Sequence, residues 1–101
     1  MKFKIKFTFF IKNQLEELHI KTRKSLLSKI QLLKENPFRN KSLISHKHLF
    51  RIRFIDINIE KRLIYSVRGE EVKLLFILNR KKNYKDLDVY MKKIKEEFKE
   101  K

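Results

Sequence analysis

The sequence predicts an α+β domain with the element order β-α-α-β-β-β-α, and three observations carry that reading. Apolar residues alternate with polar ones in short stretches near the start and through the middle, and they recur at helical spacing elsewhere. The two patterns fall in separate runs instead of strict βαβ alternation, which marks segregated strands and helices. At 101 residues the chain has length for one compact core, so a single domain spanning residues 1–101 is expected.

The first strand is read from Lys2-Phe3-Lys4-Ile5-Lys6-Phe7, where Phe3, Ile5 and Phe7 share one face. At Thr8 the period changes. Phe10, Ile11, Leu15 and Leu18 follow helical spacing, with Thr8 placed to cap the start. A second helix runs from about Ile20 to Glu35 on the stripe Leu26, Leu27, Ile30 and Leu33, and Asn36-Pro37 stops it. The expected arrangement is two antiparallel helices joined near His19 and Ile20. Residues 38–48, rich in Asn, Ser, Lys and His, form an irregular connection long enough to carry function.

Three β segments follow. In the first, Phe50, Ile52 and Phe54 oppose Arg51, Arg53 and Ile55. In the second, Arg62, Ile64 and Ser66 oppose Lys61, Leu63, Tyr65 and Val67. Arg68-Gly69-Glu70 holds the sole glycine and turns the chain into Glu71 to Asn79, apolar enough for a central strand. From Tyr84 the apolar positions Leu87, Tyr90, Met91, Ile94 and Phe98 return to helical spacing and predict a C-terminal amphipathic helix.

Composition narrows the function classes. Lys and Arg number 27 against 12 Asp and Glu, a formal charge of +15, so the surface attracts polyanions. Between Pro37 and Lys85 there are 13 Lys and Arg against 4 acids, which concentrates the excess in the sheet half. Cysteine is absent, which removes disulfides, thiolate catalysis and Cys-based zinc sites. The three histidines form no metal-ligand pattern, and one glycine cannot build a phosphate loop, so neither metal nor cofactor is expected. No apolar run is long enough to span a bilayer, and the alternating start is not a signal peptide, so no membrane partner and a cytoplasmic location are expected.

Arg51 and Arg53 leave one face of a strand about 7 Å apart, a spacing suited to neighbouring phosphates. Arg62, Lys61, Arg80, Lys81 and Lys82 are candidates to converge on them, and His46, Lys47 and His48 lie just before that strand. Histidine suits acid-base work near neutral pH.

These residues carry a family resemblance. Asn36-Pro37 followed by Leu43, then Leu49-Phe50-Arg51-Ile52-Arg53, then Arg62-Leu63-Ile64-Tyr65, then Val72 to Leu78, Arg80 and Tyr84 resemble, in order and spacing, the RelE/ParE superfamily of toxins from type II toxin-antitoxin systems. The resemblance implies a small, curved antiparallel sheet cradled by the helices. In the favoured RelE-like branch it implies a metal-independent endoribonuclease that cuts mRNA in the ribosomal A site by attack of a 2′-OH on the adjacent phosphate. Carried over by position, Arg51, Arg53, Arg62, Arg80 and Tyr84 form the catalytic set, with Lys47, His46, His48, Lys61, Lys81 and Lys82 binding RNA. The implied partners are the ribosome with its mRNA and a cognate antitoxin held in a hetero-oligomer.

The chain departs from the family pattern in three places, one of them near the final strand, where some relatives have a histidine and this chain has Asn79 or Lys81. Arginines replace lysines on the basic strand, and an always-protonated guanidinium is a poor general base. The turn before Arg62 reads Ile59-Glu60-Lys61 where the family has a glycine turn, so the connection from Phe54 to Lys61 is expected to be longer or differently shaped. The alternatives to a ribonuclease are a ParE-like inhibitor of a topoisomerase such as gyrase, and a catalytically inactive RNA-binding relative.

Overall fold

A computed structural model describes residues 2–43, 48–79 and 92. In chain order the elements are β1 (Lys4–Phe7), α1 (Phe9–Glu16), α2 (Ile20–Leu32), β2 (Leu49–Asp56), β3 (Ile59–Arg68) and β4 (Glu71–Asn79). The C-terminal amphipathic helix expected from Tyr84 onward lies outside the described residues, Lys92 excepted.

The four strands form one sheet in the order β1-β4-β3-β2. β2, β3 and β4 make an antiparallel meander, which leaves β4 in the centre as its apolar composition requires. β1 pairs with β4 in parallel, Lys4 opposite Glu71 and Phe7 opposite Leu74, so the sheet is mixed and not antiparallel throughout. The reason is topological. A parallel neighbour needs a long crossover, and everything from α1 to β3 supplies it, whereas local alternation reports only the strand and never its partner.

Each element start has a local cause. Thr8 caps α1 by accepting a hydrogen bond from the Ile11 amide at 3.1 Å, and its hydroxyl donates to the Leu75 carbonyl at 3.0 Å. One side chain therefore ends β1, starts α1 and ties both to β4. His19 stands at the N-cap of α2, its amide donating to the Asp56 carboxylate at the far end of β2. Beyond β1, the edge of β4 has no strand beside it among the described residues. There Gln14 of α1 substitutes: its carboxamide donates to the Ile77 carbonyl at 2.8 Å and accepts from the Ile77 amide at 2.6 Å.

The core lies between the helices and one face of the sheet. Ile11, Leu15, Leu26 and Ile30 meet Ile52, Leu63, Leu74 and Ile77, all buried. α1 packs on β4 and α2 on β2. Tyr65, fully buried, stacks on its pairing partner Phe50 with ring centres 5.5 Å apart. Its hydroxyl donates to the Pro37 carbonyl at 2.7 Å and accepts from the Asn40 carboxamide at 3.1 Å. Asn36-Pro37 and Tyr65 are thus two halves of one latch that closes the α2 exit onto the sheet.

Both hairpins are tight. Arg68 pairs with Glu71 across Gly69-Glu70, with Gly69 at φ +57°, where a residue without Cβ is favoured. Asp56 pairs with Ile59 across Ile57-Asn58, at φ +46° and +65°, the signature of a type I′ turn. The connection between Phe54 and Lys61 is therefore not longer: the strands extend to a two-residue turn. Ile57 hid that turn, because a β-branched residue is among the least suited to positive φ.

Candidate functional site

Sheet pairing brings the predicted arginines together. Arg53 is the register partner of Arg62, and Arg51 pairs with Ile64 one step along, so all three leave the sheet face opposite the helices. Residues directly opposite in an antiparallel pair have Cβ atoms about 5 Å apart, and like charges so placed repel. The chain offsets that repulsion with one acid. Glu60 lies two residues before Arg62 on the same face, and its carboxylate meets the Arg53 guanidinium at 3.1 Å and that of Arg62 at 3.9 Å. Arg62 and Glu60 are only 19% and 21% exposed, whereas Arg53 is 57% exposed. The cluster is a half-buried base with one exposed cationic arm.

The same face is apolar farther in. Leu49, Ile64, Phe76 and Leu78 cluster with Leu43 and are buried. A β-bulge contributes to this: Ile64 pairs with Phe76 but Tyr65 with Leu74, so Leu75 is the extra residue and joins the cluster. The bulge also re-aims the Leu75 carbonyl, which receives the Thr8 hydroxyl.

Lys61, grouped with the arginines by sequence, turns to the helix side. Its ammonium meets the Asp56 carboxylate at 3.7 Å, and it lines a small depression with Gln14, Glu17 and Asn79. Adjacent strand residues face opposite ways, so Lys61 and Arg62 cannot share the site. His48 is exposed in the turn entering β2. His46, Lys47, Arg80, Lys81, Lys82 and Tyr84 lie outside the described residues. Among the described residues no group of three or more His, Cys, Asp or Glu is placed to hold a metal, and no helix is long and apolar enough to cross a membrane.

Glu60 was missed by sequence reasoning. The signal that finds it is register: once Arg53 and Arg62 are paired, a residue at an even offset from Arg62 must share their face. Tyr65 belongs to the latch and not to this site. Burial pushes its phenol above the ordinary range, against a smaller opposite pull from the Asn40 hydrogen bond, so it remains a neutral donor to Pro37.

Chemically, the cluster can grip an oxyanion. Arginine presents a planar fork of donors matched to phosphate, and several around one phosphorus stabilise charge that grows in a transition state. Glu60 supplies what the guanidiniums lack, a group able to accept a proton.

No protein-family model and no curated protein matches the sequence. Among solved structures, the chain is similar to an E. coli toxin RelE mutant in the free state, at 20% identity and a TM-score of 0.68, covering 95% of this chain and 98% of that one. With the mixed sheet and the helix pair already in place, that coverage shows that the chain has the fold of the RelE toxin.

Proposed function

We propose that this protein is the toxin of a type II toxin-antitoxin system and an endoribonuclease that cleaves mRNA on the ribosome. The observation that carries the reading is the register pairing of Arg53 with Arg62 around Glu60, on the face of a RelE-fold sheet opposite the helices. In the reaction, the ribose 2′ oxygen forms a bond to the adjacent phosphorus and the bond to the 5′ oxygen breaks, leaving a 2′,3′-cyclic phosphate and a 5′-hydroxyl. Arg62, less exposed than Arg53, holds the non-bridging oxygens, and Arg51 and Arg53 hold the strand beside it. Glu60 takes the 2′-OH proton, and a water molecule gives the departing 5′ oxygen its proton. Arg80 and Tyr84 complete the set by position in the motif. A cognate antitoxin neutralises the protein in the cytoplasm as a hetero-oligomer.

The test is cleavage of a defined message in purified translating ribosomes. Arg62→Ala is expected to lower the single-turnover rate by about 10²–10³, the usual cost of one oxyanion donor. Glu60→Gln is expected to lower it by about 10²–10⁴, the range for a general base. Intact message with the parent protein, or full activity in Arg62→Ala, overturns the reading; accumulation of cleaved DNA-gyrase complexes in its place assigns the fold to topoisomerase inhibition.

A further inference from the structure

The arginine cluster is not the end of the basic surface. On the outer edge of β2, a depression of about 490 Å³ opens between α2 and the segment after Pro37. Its lining includes Lys29, Arg39, Lys41, Arg51 and Arg53 and, among the described residues, no carboxylate. A second hollow of about 340 Å³ shares Lys29 and Arg53 with the first and reaches Glu60. The two form a continuous trough from the Glu60 carboxylate, past Arg53, over the strand edge and on to Arg39 and Lys41.

The charge in this trough is unbalanced in a specific place. At the inner end, Glu60 offsets Arg53 and Arg62. At the outer end, among the described residues no acid pairs with Lys29, Arg39 or Lys41, and all three are exposed. Their spacing is held from two sides. Lys29 rides on α2, while residues 39–43 are fastened to β2: the Arg51 amide donates to the Lys41 carbonyl at 3.3 Å, Leu43 donates to Leu49 at 2.8 Å, and Ser42 bridges to Phe50. The Tyr65 latch fixes Pro37 and Asn40 beneath them. A trough whose outer part carries only cations among its charged lining residues, and which leads out of a phosphate grip, fits a linear polyanion better than a globular one.

We propose that the trough is a second RNA-binding site: a strand whose reacting phosphate sits at Arg62 continues over the β2 edge, and its flanking backbone phosphates are held by Lys29, Arg39 and Lys41. This rests on the RNA reading of the arginine cluster. It predicts that affinity grows with strand length and that the added affinity is electrostatic. None of the three side chains touches the reacting group, so they set the footprint and leave the bond-breaking step to the cluster.

The experiment measures anisotropy of labelled 2′-O-methyl RNA, which cannot supply the 2′-OH nucleophile, at a series of salt concentrations. A trinucleotide and a dodecanucleotide are compared on the parent, on Arg62→Ala and on the triple variant Lys29→Gln/Arg39→Gln/Lys41→Gln. The triple variant is expected to bind the long strand at least about tenfold more weakly and to lower the slope of log affinity against log salt by about 2, three single-strand phosphate contacts being lost. It should bind the trinucleotide like the parent, whereas Arg62→Ala weakens both. Parent-like binding of the long strand by the triple variant overturns the trough and leaves the cluster's reading intact. No binding of either strand by the parent overturns the reading itself and the trough with it. Loss of poly-glutamate binding by the triple variant, with RNA binding unchanged, reassigns the trough to an acidic protein segment.

Discussion

The two faces of the sheet obey different rules. On the helix side, the alternate residues Ile52 and Phe54 of β2 and Leu63 and Tyr65 of β3 are buried in one core with α1 and α2, and pattern alone places them. On the other side, Arg51, Arg53, Glu60 and Arg62 stand beside buried Leu49, Ile64 and Phe76, and strand order, register and a bulge decide which side chains meet. The first face is organised for stability. The second tolerates like charges face to face, a local cost that makes sense where an anion is to be bound.

Core truncation should separate the faces most strongly. Leu63→Ala removes a fully buried side chain in the helix-side cluster and is expected to cost about 2–5 kcal/mol, measured as the shift in urea midpoint at constant slope. Arg51→Ala, on the opposite face of the adjacent strand, should change stability by less than about 1 kcal/mol. Equal losses at the two positions would erase the distinction between a structural and a functional face.

Next in size is the latch. Tyr65→Phe keeps the ring stacked on Phe50 but leaves the Pro37 carbonyl and the Asn40 amide without the hydroxyl, at an expected cost of about 1–3 kcal/mol. The phenol also makes alkaline stability diagnostic. Its folded pKa is raised by burial, so its contribution is complete below the ordinary tyrosine value of about 10 and is lost as pH climbs from there toward the raised folded value. The parent should lose stability faster than Tyr65→Phe above that pH, and parallel curves would show that the hydroxyl is not held as described.

How much of this was legible in the residues depends on the range of the signal. Thr8 as a cap, the Asn36-Pro37 stop, the central place of β4 and the Gly69 hairpin all follow from local chemistry. The parallel pairing of β1 with β4 did not, because a strand of alternating residues carries no label for a partner 67 positions away, Lys4 opposite Glu71. Glu60 was hidden for a related reason: its meaning depends on Arg53 lying across from Arg62, which only register shows. The β2–β3 turn was masked by its own composition. Ile57 is 68% exposed at φ +46°, with Ile55 and Ile59 exposed beside it, and an Ile-rich stretch reads as strand. Ile57→Asn should therefore stabilise the protein by about 1 kcal/mol, since Asn enters the left-handed region with less strain. A thermal midpoint that falls on this change would mean that Ile57 makes compensating contacts.

The smallest effect bears most directly on the functional face. Glu60→Gln keeps the size of the side chain but removes the charge between Arg53 and Arg62. More than half of the Arg53 side chain is in solvent, which screens its pairing with the half-buried Glu60, so a loss of about 0.5 kcal/mol is expected. The sharper readout is its response to anions. With the internal carboxylate gone, the facing arginines keep their mutual repulsion, and inorganic phosphate should raise the thermal midpoint of Glu60→Gln more than that of the parent, by mass action on the folded state. Arg53→Gln combined with Glu60→Gln should abolish that extra response, because the repulsion then has only one member left. If phosphate stabilises all three proteins alike, it binds elsewhere on a surface of charge +15, and the pairing of Arg53 with Arg62 is a structural accommodation, not a phosphate grip.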